Sequence, residues 1–189
     1  GEGHCLAYYS YKDIEKLEKF LSGKPVAEQE IGFALLQEVV AYAETSMSRR
    51  KFLLHYFGEE FDDVTGDGAD MDDNVRNPKT KVEAQDQVVA LLKVVKGTKQ
   101  LFKSKEVIFA LVGKINAVIK AQKIDTQPYF GSGAAFDEKF WMALIRQALV
   151  DGLMTKDIET YGVLKLSAKG EAFIQNPTSF MMSEDHEYN

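Results

Sequence analysis

The side chains best equipped for chemistry here are carboxylates. Asp62, Asp63, Asp67, Asp70, Asp72 and Asp73 crowd into FDDVTGDGADMDDN, and oxygen ligands of this kind suit calcium or magnesium. The spacing is not that of an EF-hand, and no glutamate stands at its twelfth position. The competing reading is a solvated loop of Asx turns ending in a helix cap. The single cysteine, Cys5, excludes a disulfide framework or a multi-cysteine metal site and fits a reducing compartment. It falls in a run that reads as a buried strand, with no base beside it. His4, His55 and His186 are scattered and read as structural or exposed. No G-x-x-x-x-G-K-[ST] phosphate loop is present. The glycines of GSGAA lack a lysine, and SEDHEY lacks the D-E-x-H order of a nucleotide-hydrolysing acidic motif. No catalytic residue and no cofactor site are therefore expected in these residues.

The cations suggest a second chemistry. Residues 1–78 have a net charge of −8, residues 79–175 of +5, and the remaining tail of −3. A basic block between acidic flanks creates a local field suited to a polyanion. Lys103, Lys105, Lys114, Lys120, Lys123, Lys139, Arg146, Lys156 and Lys165 are candidate phosphate contacts, against the alternative of solvated helix faces. Ser104 and Lys105 rank first, because free N–H groups at a helix start suit a phosphate.

The elements that must position these groups are legible in outline. HCLAYY reads as a short buried strand. Ser10 with Asp13 resembles a capping box before a helix with Ile14, Leu17 and Leu21 on one face. Pro25 opens a long helix, Val26 to Ala43, with Ile31, Leu35, Val39 and Tyr42 at helical spacing. RRKFLLHYF follows, stopped by Gly58, so a helical hairpin is expected. In the basic half, one helix buries Val88, Leu91, Leu92 and Val95. The next, with Ser104 as N-cap, buries Val107, Ile108, Leu111 and Val112. After a poorly patterned stretch, Asp137 caps the strongest helix, where Phe140, Trp141, Met142 and Ile145 read as core. Two β-favouring runs around ETYG form a hairpin with Thr160 and Tyr161 at its tip. The expected fold class is mainly α (α+β): a helical hairpin followed by a winged helix, a helix-turn-helix with a β wing. No apolar run approaches the roughly 20 residues of a membrane span.

Several phrases together resemble the RecQ family of DNA helicases. EGHCLAYYS resembles the strand leaving the last motor motif, SRRKFLLHYFGE a helix of the zinc-binding subdomain, and FWMALIRQALVDGLMTKDIETYGVLKLSAKG the late helix and wing of the RecQ C-terminal (RQC) domain. The resemblance runs through about residues 1–175. It implies a helicase-lobe remnant at 1–24, a zinc-subdomain hairpin at 25–78, an RQC winged helix at 79–175 and a tail at 176–189. It further implies that the parent is an ATP- and Mg-dependent 3′→5′ helicase of DNA repair, recombination and replication, with its motor upstream of Gly1. The implied location is cytoplasmic, with the nucleoid if bacterial. The partner would be forked or duplex DNA bound without sequence preference, with no membrane, and with Tyr161 stacking on the fork or packing back on its own domain. Laid on the family pattern, the four zinc ligands fall on Ser48, Thr65, Gly68 and Met71. None supplies the thiolate that a structural zinc site of this pattern needs, so no zinc is expected. A winged helix that binds protein partners is the alternative.

Overall fold

The computed structural model describes residues 3–188. The ends of the expected lobe remnant and tail, residues 1, 2 and 189, lie outside the described residues. His4–Tyr9 is not the expected strand: it has no regular secondary structure and is exposed through Tyr8. A strand needs a neighbour to take its N–H and C=O groups, and among the described residues none pairs with it. Cys5 is consequently exposed.

Helix α1 (Tyr11–Leu21) starts at Ser10, whose hydroxyl accepts from the Lys12 N–H at 3.3 Å. It packs on α2 (Val26–Glu44) through a small cluster of Ile14, Leu36 and Val40, with Tyr9 and Leu21 alongside. Gly32 permits this contact, because a Cβ there would lie 2.6 Å from Leu21 Cδ2. The residues whose spacing marks α2 as a helix are not the ones it buries. Ile31, Leu35, Val39 and Tyr42 are exposed, whereas Leu36, Val40 and Ala41 are buried. The helix is apolar nearly all round, so periodicity alone does not select a face. Leu17 is also exposed.

Helix α3 (Arg49–Tyr56) begins at Ser48 and ends in Phe57 and Gly58, the latter at φ 81°. The aspartate loop then folds back on the start of α3. Ser48 Oγ donates to Asp72 Oδ2 at 2.8 Å, while Asp72 Oδ1 accepts from the Val75 N–H at 2.9 Å and so caps α4 (Asp73–Arg76). Arg49 forks onto Asp73 at 2.6 and 3.1 Å and donates to the Tyr42 carbonyl at 2.7 Å. Arg50 donates to the Asp67 carbonyl and lies where a Cβ on Gly68 would fall. That glycine has a φ of 72°, so two requirements coincide on one residue. Asp62 closes an Asx turn on Val64 and Thr65, and Lys51 pairs with Asp63 at 3.2 Å. Hydrogen bonds to charged groups contribute about 1.5–3 kcal/mol. Arg49→Ala is therefore expected to destabilise the chain by about that much in urea denaturation, and EDTA is expected to leave the melting temperature unchanged. A melting temperature that falls on chelation would contradict this arrangement.

The second unit comprises β1 (Val82–Glu83), α5 (Gln85–Gly97), α6 (Ser104–Val112), α7 (Ala117–Ala121), α8 (Glu138–Val150), β2 (Met154–Asp157), β3 (Val163–Leu166), α9 (Ala168–Gln175) and β4 (Met181–Met182). Strands β2 and β3 form the antiparallel wing, Met154 opposite Leu166 and Asp157 opposite Val163, extended by a bridge from Lys103 to Val163. Val88, Leu91, Leu92, Leu111, Trp141, Leu144 and Leu164 fill one core. The Trp141 indole N–H donates to the Gly133 carbonyl at 2.9 Å. Asp137 caps α8 as its spacing suggests, accepting from the Phe140 N–H at 2.8 Å. Ser104 is not an N-cap: Lys103 holds that place in extended backbone with no side-chain cap, and Ser104 is the first helical residue. The poorly patterned stretch contains α7 and a single 3-10 turn. The fold is mainly α with a winged-helix arrangement, and no described helix is long and apolar enough to cross a membrane.

A candidate nucleic-acid interface between the second helix and the wing

A groove of about 770 Å³ separates α2 from the winged helix. Phe33 and Gln37 line it from α2, Lys105 and Phe109 from α6, Met142 from α8 and Tyr161 from the wing. The start of α6 opens into it with first-turn N–H groups that no side chain caps. Lys105 lies over the Phe109 ring, 5.7 Å from its centroid. Tyr161 is half-exposed in the left-handed region at φ 60°, with the Lys103 ammonium 5.6 Å from its ring centre. Thr160 is exposed in the same turn, its N–H 3.3 Å from Asp157 Oδ1.

Most of the other candidate cations already have acidic partners. Lys103 pairs with Glu30 at 2.6 Å, Lys120 with Asp125 at 2.7 Å, Lys139 with Glu187 at 2.6 Å and Lys165 with Asp157 at 2.7 Å. Lys114 pairs with Glu138, and Lys156 with Glu38. Among the described residues, Lys105 and Lys123 form no ion pair. The groove thus brings together Lys103, Ser104, Lys105, Lys156 and Tyr161, but not Lys114, Lys120, Lys123 or Lys139.

Arg146 is a different case. Its side chain is 9% exposed and bonds both Asp185 and, at 3.4 Å, Glu44. Tyr9 donates to the other Glu44 oxygen at 2.8 Å. The chain after β4 is a strap across this network. Gln147 exchanges two hydrogen bonds with the Ser183 backbone, at 2.5 and 3.2 Å, and Ser46 and Ser183 hydroxyls meet at 2.7 Å. His186 donates to Asn74 Oδ1 at 2.6 Å, while Asn74 donates to the Thr45 and Met47 carbonyls. Glu44, Asn74, Gln147 and Asp185 are positioning residues that sequence patterning missed. Their partners lie far along the chain, and only the buried polar setting reveals them.

Burial pushes the Asp185 carboxyl up to about 6, against the opposing charge and hydrogen bond of Arg146, with Glu44 adding to the rise. One of its oxygens is buried with no hydrogen-bond partner. A carboxyl whose folded pKa exceeds its unfolded value contributes stability that is full below about pH 4 and lost as pH rises through 6. Relative to Asp185→Asn, the native chain is therefore expected to lose about 2–3 kcal/mol between pH 4 and pH 7.5. Urea titrations at the two pH values test this; a constant difference would show that Asp185 is not raised.

The family model for the RQC domain matches residues 78–189, and that for the RecQ zinc-binding region matches residues 11–71. ATP-dependent DNA helicase Q-like 4B of Arabidopsis thaliana is 25% identical over 185 residues, covering 88% of this chain and 16% of that protein. ATP-dependent DNA helicase hus2/rqh1 of Schizosaccharomyces pombe is 42% identical over 64 residues, 32% of this chain and 5% of that protein. The provisionally named ATP-dependent RNA helicase R290 of Acanthamoeba polyphaga mimivirus is 24% identical over 189 residues, 92% of this chain and 34% of that protein. The chain thus spans at most about a third of the length of these relatives.

The zinc that the second family description implies does not fit the residues present. Ser48 donates to Asp72, Thr65 donates to Asp62, Gly68 has no side-chain donor and Met71 sulfur accepts from Arg50 at 3.9 Å. Structural zinc needs four N or S donors in a tetrahedron, and here the same positions are tied into the arginine–aspartate contacts. The helices of the module are present, and its metal chemistry is not supported. With its winged-helix architecture and matching family model, the chain belongs to the RQC domain family and represents the C-terminal region of a RecQ-type helicase.

Proposed function

We propose that this region grips forked or duplex DNA for an ATP- and Mg-dependent 3′→5′ RecQ-type helicase acting in DNA repair, recombination and replication. The parent would work wherever the cell keeps its DNA, in nucleoid or nucleus. The observation that carries this reading is the convergence of three features on one groove: the uncapped start of α6, the cations Lys103, Lys105 and Lys156, and the aromatic wing tip. Helix-start N–H groups and lysine ammoniums both favour phosphate oxygens. Neither reads bases, so the expected binding follows backbone and shape. Tyr161 stands where an aromatic face can stack on an unpaired or terminal base. Arg146 borders the groove, but its guanidinium is buried and committed to Glu44 and Asp185, so this reading assigns it to holding the structure rather than to phosphate.

Lys105 is the best single probe, being exposed and outside any ion pair. Lys105→Ala is expected to weaken fork binding to a similar degree for every sequence and to lower the slope of log K against log salt by about 1. An effect confined to one sequence would overturn the backbone reading.

A second reading has its own observation. The uncovered stripe of Ile31, Leu35 and Val39 on α2 is 42–54% exposed and suits a protein partner. Retained partner capture with no DNA binding would favour it.

A further inference from the structure

Helix α2 carries three acids within reach of the winged helix, and each holds one of its cations. Glu30 pairs with Lys103 at the start of α6, Glu38 with Lys156 on β2, and Glu44 with Arg146 on α8. With a 1.5 Å rise and about 100° per residue, the three fall within about 120° of arc and span about 21 Å of helix. The Glu44 contact belongs to the buried network that the C-terminal strap closes. The other two are different: they bridge the groove. Helix α2 packs chiefly on α1 and α3, and a groove of about 770 Å³ lies between it and α6, α8 and the wing. Across that opening, the link is electrostatic.

We propose that the acidic face of α2 is an autoinhibitory contact: Glu30 and Glu38 occupy the phosphate-binding lysines of the wing and must release them before DNA binds. This rests on the reading of the groove as a DNA surface. The Glu38–Lys156 pair is the stronger hold, its side chains being 18% and 21% exposed, while Glu30 and Lys103 are each 42% exposed. Lys103 also stands against the Tyr161 ring, 5.6 Å from its centre. The ion pair that holds Lys103 therefore lies beside the wing-tip aromatic, which lines the same groove. A phosphate competes with a carboxylate for the same ammonium, so the apparent affinity for DNA is reduced by the fraction of molecules in which the pairs are closed. Once they open, both lysines become available together.

The test compares three proteins on a fluorescent forked duplex at about 0.1 M salt, where exposed charges are partly screened: the native chain, Glu30→Gln/Glu38→Gln, and Glu15→Gln/Glu28→Gln. The last pair removes the same charge from exposed positions that face neither lysine. The groove variant is expected to bind about five- to tenfold tighter than the native chain, from two partly exposed pairs, and the control less than about twofold tighter. Thermal melts check that the variants fold. Equal gains in both variants, or none in either, would overturn the contact while leaving the DNA reading intact. If no protein, native included, binds the fork, the DNA reading fails and the proposal fails with it.

Discussion

Arg146→Ala is expected to cost about 3–5 kcal/mol of stability, the usual consequence of removing one partner from a buried ion pair. In a chain of this size that corresponds to a fall in melting temperature on the order of 10 °C. The guanidinium links three parts of the molecule: α8, which carries it, the end of α2 through Glu44, and the C-terminal strap through Asp185. Without it, two carboxylates face each other with Tyr9 and Lys79 as their remaining neighbours. Adding Glu44→Gln and Asp185→Asn to the same protein removes the stranded charge and is expected to restore a large part of the loss. The variant also separates two roles for Arg146. A phosphate contact would lose DNA affinity at unchanged melting temperature; the strap role lowers the melting temperature first.

How this residue reads in sequence shows where patterning stops. Arg146 sits on the strongest helix of the basic half, and charge alone makes it a phosphate candidate. The two acids that bury it lie 102 and 39 residues away, and no local signal connects them. The winged helix itself was legible because its core is made by short-range periodicity: Val88, Leu91, Leu92 and Val95 on α5, and the Asp137 cap with Trp141 on α8. Helix α2 was legible as a helix but not in its orientation, since apolar residues surround it and a small contact with α1 selects Leu36 and Val40. The strand expected at His4–Tyr9 failed for want of a neighbour to complete its hydrogen bonds. The aspartate loop lay between these cases. Its residue types suggested metal or solvent, yet Arg49, Arg50 and Ser48 bind it directly, and those partners were visible in the sequence without their geometry.

The second large effect concerns salt. Binding through phosphate contacts releases condensed counterions, and log K falls with log salt at about 0.9 per phosphate neutralised. Lys103, Lys105 and Lys156 in the groove, once the α2 pairs open, and the unpaired Lys123 outside it offer about four contacts to a duplex that extends past the groove. Affinity for a forked duplex is then expected to drop about 100-fold between 50 and 200 mM salt. Closed pairs on Lys103 and Lys156 are themselves weakened by salt, which makes the measured slope shallower than four free lysines would give. The neutralised α2 variant should therefore show the steeper line.

Fork-binding affinity of the native region at 50 and 200 mM salt tests the central claim most directly, that this winged helix holds DNA by its backbone. The account predicts tight binding at the lower salt and a loss approaching 100-fold at the higher. An affinity that stays flat across that range, or no binding at 50 mM, would contradict it.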